Sequence, residues 1–254
     1  MGGGVSDFFH GHESARSQAR SFEIPGAVGV DVETFGGNVT VVASARVSSV
    51  TVSIERESTH GFGRGSEGKS SLENIQATTE IVPGKLGPVL QVRITSSDPE
   101  PHFQRAHVLI EAPALADVRI RTGRGRIEVK SERGVMAEEG GGSIDVETSD
   151  GHIRLMSDGP IEGDVTAIAR YGHVDFRMRG EFGADFDAET RGGTVRVRCV
   201  DGGWTATSLD NRPSRTMGRL NDGGSRVMLR TVDGDIRVAI VPDPTAVGAF
   251  IVDP

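Results

Sequence analysis

The sequence has a single cysteine, Cys199, in 254 residues, so it has no internal disulfide framework. It also has no apolar run of roughly 18 or more residues, the length that a membrane-spanning helix requires. Aromatic residues make up only 5% of the chain, with one tryptophan and one tyrosine. A core without large rings must be thin and filled by valine, isoleucine and leucine.

The chain also lacks any block of positive charge. Its formal net charge is −8, and lysine and arginine are interspersed with acidic residues. A surface that follows a phosphate backbone needs clustered positive charge, so the sequence argues against a nucleic-acid partner. Neither G-x-S-x-G nor H-E-x-x-H occurs. The glycine-rich segments 60–65 and 121–126 are not expected to lead into a helix, as a phosphate-binding loop would. We therefore expect no cofactor.

What the sequence has in excess is glycine, with 35 copies, many of them in a repeat. The segments ETSDGHIRL, IARYGHVDF and ETRGGTVRV begin at residues 147, 168 and 189, and RTVDGDIRV begins at residue 230. After each central glycine, apolar residues alternate with polar ones, which is the period of a strand. A second short apolar alternation precedes each glycine. The repeating glycines are Gly37, Gly125, Gly151, Gly172, Gly193 and Gly234.

A fixed period of about 21 residues is typical of stacked repeat architectures, since one such unit cannot bury its few apolar side chains alone. The sequence predicts an all-β fold, a right-handed parallel β-solenoid with two short strands per repeat, capped by longer N-terminal strands. Parallel stacking would place Ile153, Val174 and Val195 in one inward column. An antiparallel sandwich is the alternative, since hairpins also follow Asp-Gly turns.

The expected organisation is a disordered or linker tail over residues 1–18 and one β-solenoid domain over 19–254. Within that domain, a longer-stranded portion covers 19–120, regular repeats cover 121–241 and a C-terminal cap covers 242–254. Two irregular segments are expected. Residues 58–72 are rich in glycine and serine and predict a loop. Residues 207–215 stand where a repeat should be, with Pro213 in the apolar pattern, and predict a degraded repeat with a bulging loop.

The ensemble of SFEIPGAVGVDVETFGGNVTVVA, VTVSIERE, HVLIEAPALADVRIRTGRGRIEV and the TSDGHIRL-type units resembles a bacterial family labelled putative adhesin, a repetitive all-β domain of unknown function. The resemblance covers roughly residues 20–241. Family members typically repeat TSNGSI, where this chain has TSDGHI, ARYGHV, TRGGTV and TVDGDI. The resemblance implies no catalytic residues. It also implies a location outside the cytoplasmic membrane, behind an export signal or anchor ahead of residue 1; a cytoplasmic location is the alternative.

Two kinds of candidate site emerge from the repeat. His152 and His173 stand one period apart, so stacking would make them neighbours, and with Asp175 they are weak candidates for a divalent metal. Because the next repeats offer only a threonine and an aspartate there, a polar ladder is favoured and no metal is expected. The outward residues, together with the 207–215 irregularity, form the candidate interaction surface: Arg154, Asp175, Arg196, Asn211, Arg212 and Arg215.

These observations favour a non-enzymatic structural or adhesion module of the bacterial cell envelope. Its partner would be a macromolecular surface or another copy of the chain. One alternative is a carbohydrate-active or metal-assisted β-helix enzyme, for which a cleft with two or more convergent carboxylates would be the sign. Such enzymes usually line the groove with aromatic rings, and besides phenylalanine this chain has only Trp204 and Tyr171. A self-assembling solenoid scaffold is the other alternative.

Overall fold

The computed structural model describes residues 11–16, 19–60, 65–98, 101–136, 142–207 and 212–246. In chain order the first ten strands are β1 (Gly11–Arg16), β2 (Arg20–Phe22), β3 (Val28–Thr34), β4 (Val39–Ala43), β5 (Val50–His60), β6 (Ile75–Gly84), β7 (Gly87–Ser96), β8 (Gln104–Ala112), β9 (Leu115–Arg124) and β10 (Ile127–Ser131). The others are β11 (Ile144–Asp150), β12 (Ile153–Ser157), β13 (Val165–Tyr171), β14 (Val174–Met178), β15 (Ala184–Thr190), β16 (Val195–Cys199), β17 (Trp204–Ala206), β18 (Arg215–Leu220), β19 (Ser225–Asp233) and β20 (Ile236–Ile240). One α-helix, α1 (Gly65–Glu73), and a 3₁₀ turn (Pro101–Phe103) complete the described elements.

The strands form two large sheets that share one apolar core. The first sheet has the order β1-β5-β8-β4-β10-β12-β14-β20-β16, with β2 also pairing to β5. The second sheet has the order β17-β18-β15-β19-β13-β11-β9-β3-β7-β6. Successive strands of the repeat alternate between the two sheets, so each turn of the repeat carries the chain from the second sheet to the first. The all-β prediction is therefore confirmed, with both sheets mixed in strand direction.

The central strands pair in parallel and in the register that the repeat predicts. In the first sheet Ile127 pairs with Ile153, and Ile153 pairs with Val174. Antiparallel pairs lie at the ends of the sheets, where β5 joins β8, β6 joins β7, and β18 joins β15 and β17. The parallel centre argues against the antiparallel sandwich.

The order of the strands departs from the order of the chain at the last repeat. Val174 pairs with Ile236, and Val195 pairs with the other side of Ile236. The expectation that Val195 follows Val174 directly is wrong, because β19 and β20 insert between the preceding two repeats. The inserted β20 is the more apolar strand, with Ile236 and Ile240 fully buried, whereas the inward residues of β16 are only half-buried. The more apolar β20 thus lies inside the sheet, and the less apolar β16 lies at its edge.

Three irregular segments also differ from the sequence expectations. Part of the expected tail, Gly11–Arg16, is a strand antiparallel to β5. The expected loop over 58–72 contains α1, so the expectation that segment 60–65 does not lead into a helix is wrong. Tertiary contacts hold α1: the Gln104 amide donates to the backbone oxygen of Ser71 at 2.8 Å and to its hydroxyl at 2.7 Å. The expected degraded repeat is replaced by β17 and β18, which extend the second sheet antiparallel; residues 208–211 lie outside the described residues.

Glycine is required at the repeating turns because the backbones of successive repeats nearly touch there. Gly151 and Gly172 have φ angles of 153° and 146°, which side-chain-bearing residues rarely adopt. A Cβ at Gly172 would lie 2.0 Å from the carbonyl oxygen of Gly151, well inside any permitted contact.

In the described part of the chain, α1 is too short and too polar to cross a bilayer.

Replacing Val174 by aspartate tests the parallel core. Val174 is fully buried between Ile153 and Ile236, so Val174→Asp places a carboxylate with no partner in the thin core. We expect a loss of at least about 3 kcal/mol of unfolding free energy, or failure to fold, in urea titrations followed by circular dichroism. Thr205→Asp, at an exposed edge position opposite Arg219, should change stability by less than about 0.5 kcal/mol. An unchanged midpoint for Val174→Asp would contradict the packing.

Candidate functional site

A column of buried threonines explains the T-x-x-G part of the repeat. The hydroxyl of Thr148 donates to the carbonyl oxygen of Gly125 at 3.1 Å, and Thr231 donates to that of Gly172 at 2.9 Å. Thr190 does the same for Gly234 at 2.8 Å. Each threonine thus satisfies a turn carbonyl of the neighbouring repeat, which is a structural role. The column is broken at one place, where the repeat has Ala169 instead.

The residue after each turn glycine forms a second column, and this column contains both histidine candidates. The Nδ1 atom of His152 accepts the backbone N–H of His173 at 2.9 Å, and the Nδ1 atom of His173 accepts that of Asp235 at 2.8 Å. The Oδ1 atom of Asn38 accepts the N–H of Arg126 at 2.9 Å in the same way. The side chains of this column therefore hold successive turns together.

The two imidazole rings are stacked, with centroids 5.0 Å apart and planes inclined by 11°. Their adjacency is as the period suggested, but each Nδ1 lone pair is already occupied by a backbone N–H. Since both rings take the same orientation, their Nε2 atoms face the same way instead of converging on one ion, which a tetrahedral zinc site would require. No group of three or more metal-ligating side chains occurs within the part of the chain that the structure describes.

The outward row of the first sheet brings together two of the expected interaction residues and separates the third. Arg154 Nε lies 3.3 Å from Asp175 Oδ2, and Arg177 donates to the same oxygen at 2.9 Å. Asp175 and Arg177 are both buried. Arg237 stands between Asp175 and Arg196 in the register of the sheet, so Arg196 is two strands from Asp175 and faces a like charge. Opposed like charges weaken strand pairing, so this end of the row is not optimised for stability alone.

The remaining candidates belong to the irregular segment and to the start of β18. Arg215 is in β18 of the second sheet, where its guanidinium lies 3.6 Å from Asp187 Oδ1. Arg212 is exposed, and Asn211 lies outside the described residues. The carbonyl oxygen of Pro213 accepts the backbone N–H of Val195 at 2.7 Å, which places the irregular segment beside the strand that carries Arg196.

The second sheet carries a repeated ion-pair motif that sequence reasoning missed. Its aspartates belong to D-x-E-T segments beginning at Asp31, Asp145 and Asp187. In each case an arginine of the neighbouring strand donates to both the carboxylate and the backbone carbonyl of the aspartate, the latter at 3.0, 3.0 and 2.6 Å. The three segments share spacing and pairing register, so the recurrence of D-x-E-T was the available signal. We interpret these pairs as reinforcement between strands. The donors are Arg93, Arg121 and Arg230.

A cleft of about 320 Å³ opens where the turns of three neighbouring strands meet. Its walls carry Arg105 and Arg124, and its floor is formed by Phe35, Gly36 and Gly123. In the sequence, segment 121–126 suggests no site, because it lacks the helix that follows a phosphate-binding loop. The cleft was missed because Arg105 comes from another repeat. The other wall residues are Pro101, His102 and Gln104.

Comparison with known proteins supports the fold. No protein-family model matches the chain, and no curated protein matches it significantly. A crystal structure described as a putative cell adhesion protein from Clostridium sporogenes matches with a TM-score of 0.59 and 11% identity, over 90% of this chain and 100% of that one. The resemblance inferred from the sequence is thus confirmed in the fold. At this identity the likeness shows shared architecture and assigns no activity.

Two further structures are described as putative adhesins, from Bacteroides fragilis and Parabacteroides distasonis. Their TM-scores are 0.23 and 0.25, at 10% and 11% identity. They cover 89% of this chain and 96% and 97% of their own. These scores are too low to carry an argument.

Thr148→Val tests the threonine column. Thr148 is 1% exposed and valine has nearly its shape, so the substitution removes the donor and leaves the Gly125 carbonyl without it. We expect a loss of about 1–2 kcal/mol in urea unfolding, whereas Thr148→Ser should retain the hydrogen bond and most of the stability. Equal stability of the valine variant and the native chain would show that the hydroxyl is dispensable.

His152 makes the turn column sensitive to acid. Its pKa is lowered from 6.5 by desolvation first, then by the charges of His173, Arg126 and Arg154, against a raising effect of Asp150. Because the folded-state pKa is below the unfolded value, this contribution to stability is fully present above pH 6.5 and is lost as the pH falls through the folded-state pKa.

The matched variant for this effect is His152→Asn, since Asn38 already fills the equivalent place and asparagine accepts the N–H without titrating. Melting temperatures measured from pH 7.5 to pH 4.5 should decline less for His152→Asn than for the native chain. Identical pH profiles for the two proteins would exclude His152 as a source of acid sensitivity.

Proposed function

We propose that the chain is a non-enzymatic adhesion or interaction module, built as one β-solenoid domain over residues 19–254. Three structural features support this architecture: two parallel strand stacks in matching register, a column of turn glycines and a shared core. The Clostridium sporogenes structure of similar fold is described as a putative cell adhesion protein. An extracytoplasmic or cell-envelope location belongs to the same proposal.

The observation that carries the proposal is the distribution of polar groups. The turn hydroxyls and imidazoles, together with most carboxylates of the D-x-E-T segments, are engaged in bonds between strands, as a structural framework requires. The broad outward rows of the two sheets remain as contact surfaces. At the end of the first sheet, Arg196 is exposed and opposes Arg237. A like-charged pair at an exposed sheet end is compatible with an anionic macromolecular partner.

The described clefts give the enzyme alternative less support. Among the residues that the structure describes, no carboxylate lines the cleft between Arg105 and Arg124. A second, of about 330 Å³, includes Asp117, whose carboxylate accepts bonds from the backbone and hydroxyl of Ser143. A third cleft, of about 340 Å³, has Glu55 as its one carboxylate among the described residues. A glycosidase needs two facing carboxyl groups across the scissile bond, and none of these clefts provides such a pair.

Retention of the purified chain on polymers tests the proposal. Immobilised bacterial envelope and matrix polysaccharides would be incubated with the native chain, with Arg196→Glu, and with Arg46→Glu as an exposed charge control away from the row. We expect retention of the native chain on at least one anionic polymer, a several-fold reduction for Arg196→Glu and no change for Arg46→Glu.

Two results would contradict the proposal. One is the absence of retention on every polymer tested. The other is release of reducing sugar from a polymer by the native chain, which would favour the β-helix enzyme.

A further inference from the structure

We infer that the cleft between Arg105 and Arg124 is a binding site for the anionic group of an acidic sugar. This inference goes beyond the proposed function and does not depend on the outward row around Arg196. It rests on strand register, on the bonding state of the two arginines, on the glycine between them and on the apolar groups beside them.

The register of the strands places one glycine between the two arginines. The N–H of Ala106 donates to the carbonyl of Gly36 at 2.8 Å, and the N–H of Gly37 donates to the carbonyl of Arg124 at 2.6 Å. Arg105, Gly36 and Arg124 therefore occupy the same turn position on three consecutive strands. At a strand spacing of about 4.8 Å, the two arginine α-carbons stand roughly 10 Å apart. Two guanidinium groups can converge on one anion from that separation.

Both guanidinium groups are available. Arg105 and Arg124 are exposed, and within the described residues neither has an ion pair. By contrast, the arginines of the D-x-E-T pairs are committed to aspartates. Free arginines on two sides of a cleft favour carboxylate, phosphate or sulfate, since the planar fork donates two parallel N–H groups to such oxygens.

Neighbouring acidic groups do not neutralise the pair. Glu57 stands opposite Arg105 in the antiparallel register, but its Oε2 atom is 2.9 Å from His107 Nε2. Asp150 stands beside Arg124 in the parallel register without forming an ion pair with it. Within the described residues, Arg105 and Arg124 thus form no ion pair with either neighbouring carboxylate. Their positive charge remains available to an incoming anion.

Gly36 creates the space that the anion would occupy. The repeating turn glycines are required by close backbone contacts, but Gly36 precedes one of them, and a Cβ at Gly36 would meet nothing nearer than 3.8 Å. Its φ is also outside the left-handed region. Backbone geometry therefore does not demand glycine here, and a side chain would fill the cleft between the arginines.

The apolar lining favours a sugar over a bare oxoanion. Phe35 is half-buried against the core at the floor, and Pro101 forms part of the wall. An inorganic anion would use the arginines alone, whereas a sugar acid presents a carboxylate to them and its C–H face to the apolar groups. The volume of about 320 Å³ is at the small end of ligand pockets, which suits one sugar unit, free or within a polymer.

Isothermal titration and ligand-observed NMR can test the site with three probes: glucuronate, a glucuronate-containing oligosaccharide, and inorganic phosphate, with glucose as the neutral reference. We expect both glucuronate probes to bind, affinity to fall with added salt, and glucose to be without effect. Comparison of the first two probes separates a free sugar acid from a polymer unit as the ligand.

Two variants remove the site in different ways. Gly36→Glu fills the cleft with a repelling carboxylate, and Arg124→Gln removes one cation at an exposed position that does not carry the fold. Each should weaken glucuronate binding at least tenfold. The matched controls are Gly203→Glu, where a Cβ meets only Asn221 at 3.5 Å, and Arg191→Gln, an exposed arginine at the far end of the stack. Circular dichroism melts of all four variants exclude unfolding as the cause.

Unchanged binding in Arg124→Gln, equal loss in the controls, or phosphate binding without sugar binding would each overturn the inference. Polymer retention that is lost in Arg196→Glu but kept in Gly36→Glu would support the proposed function while separating it from this cleft.

Discussion

The fold depends on the close approach of backbones at the turn glycines. A Cβ at Gly125, Gly151 or Gly172 would lie 2.0–2.3 Å from a carbonyl oxygen of the next repeat. Strands that follow such turns must run in parallel and in one register, because the turn fixes where each begins. A shift of one residue would turn the inward apolar residues outward. The core of valine, isoleucine and leucine is thus the result of turn packing as much as of hydrophobic burial.

Packing turns this closely makes backbone polar groups of one repeat face the next, and side chains of the repeat bond to them. Threonine hydroxyls donate to the glycine carbonyls, as Thr231 does to Gly172. Side-chain acceptors such as His173 Nδ1 and Asn38 Oδ1 receive the next backbone N–H. His152 and His173 resemble a metal-binding pair in the sequence, but in the structure their Nδ1 atoms accept backbone N–H groups of the neighbouring turn.

How much the sequence predicts depends on whether a feature is local. Glycine spacing and two-residue alternation gave the strands, their parallel partners and the adjacency of His152 and His173. They did not predict that β20 lies between β14 and β16, because the strands of every repeat can pair equally well along their edges. The order follows from burial of the more apolar strand, which the repeat pattern does not show. Helix α1 was missed because its composition resembles a loop, and Gln104, distant in sequence, holds it in place. The cleft was missed for the same reason, since its arginines belong to different repeats.

A regular stack offers few places for a ligand, because each outward position is usually bridged to its neighbour. Departures from that bridging are therefore the informative ones. Arg196 faces another arginine, although an acid there would stabilise the sheet. Gly36 lacks a side chain where the backbone would permit one, between two arginines without ion pairs. Neither feature is explained by the turn packing that governs the rest of the molecule. Arg196 and the two arginines beside Gly36 are exposed, and within the described residues Arg105 and Arg124 have no ion pair, on a chain whose net charge is −8. If the proposed partner is an anionic polymer, the negative net charge of the chain would repel it from most of the surface, so we expect its contacts at these arginines.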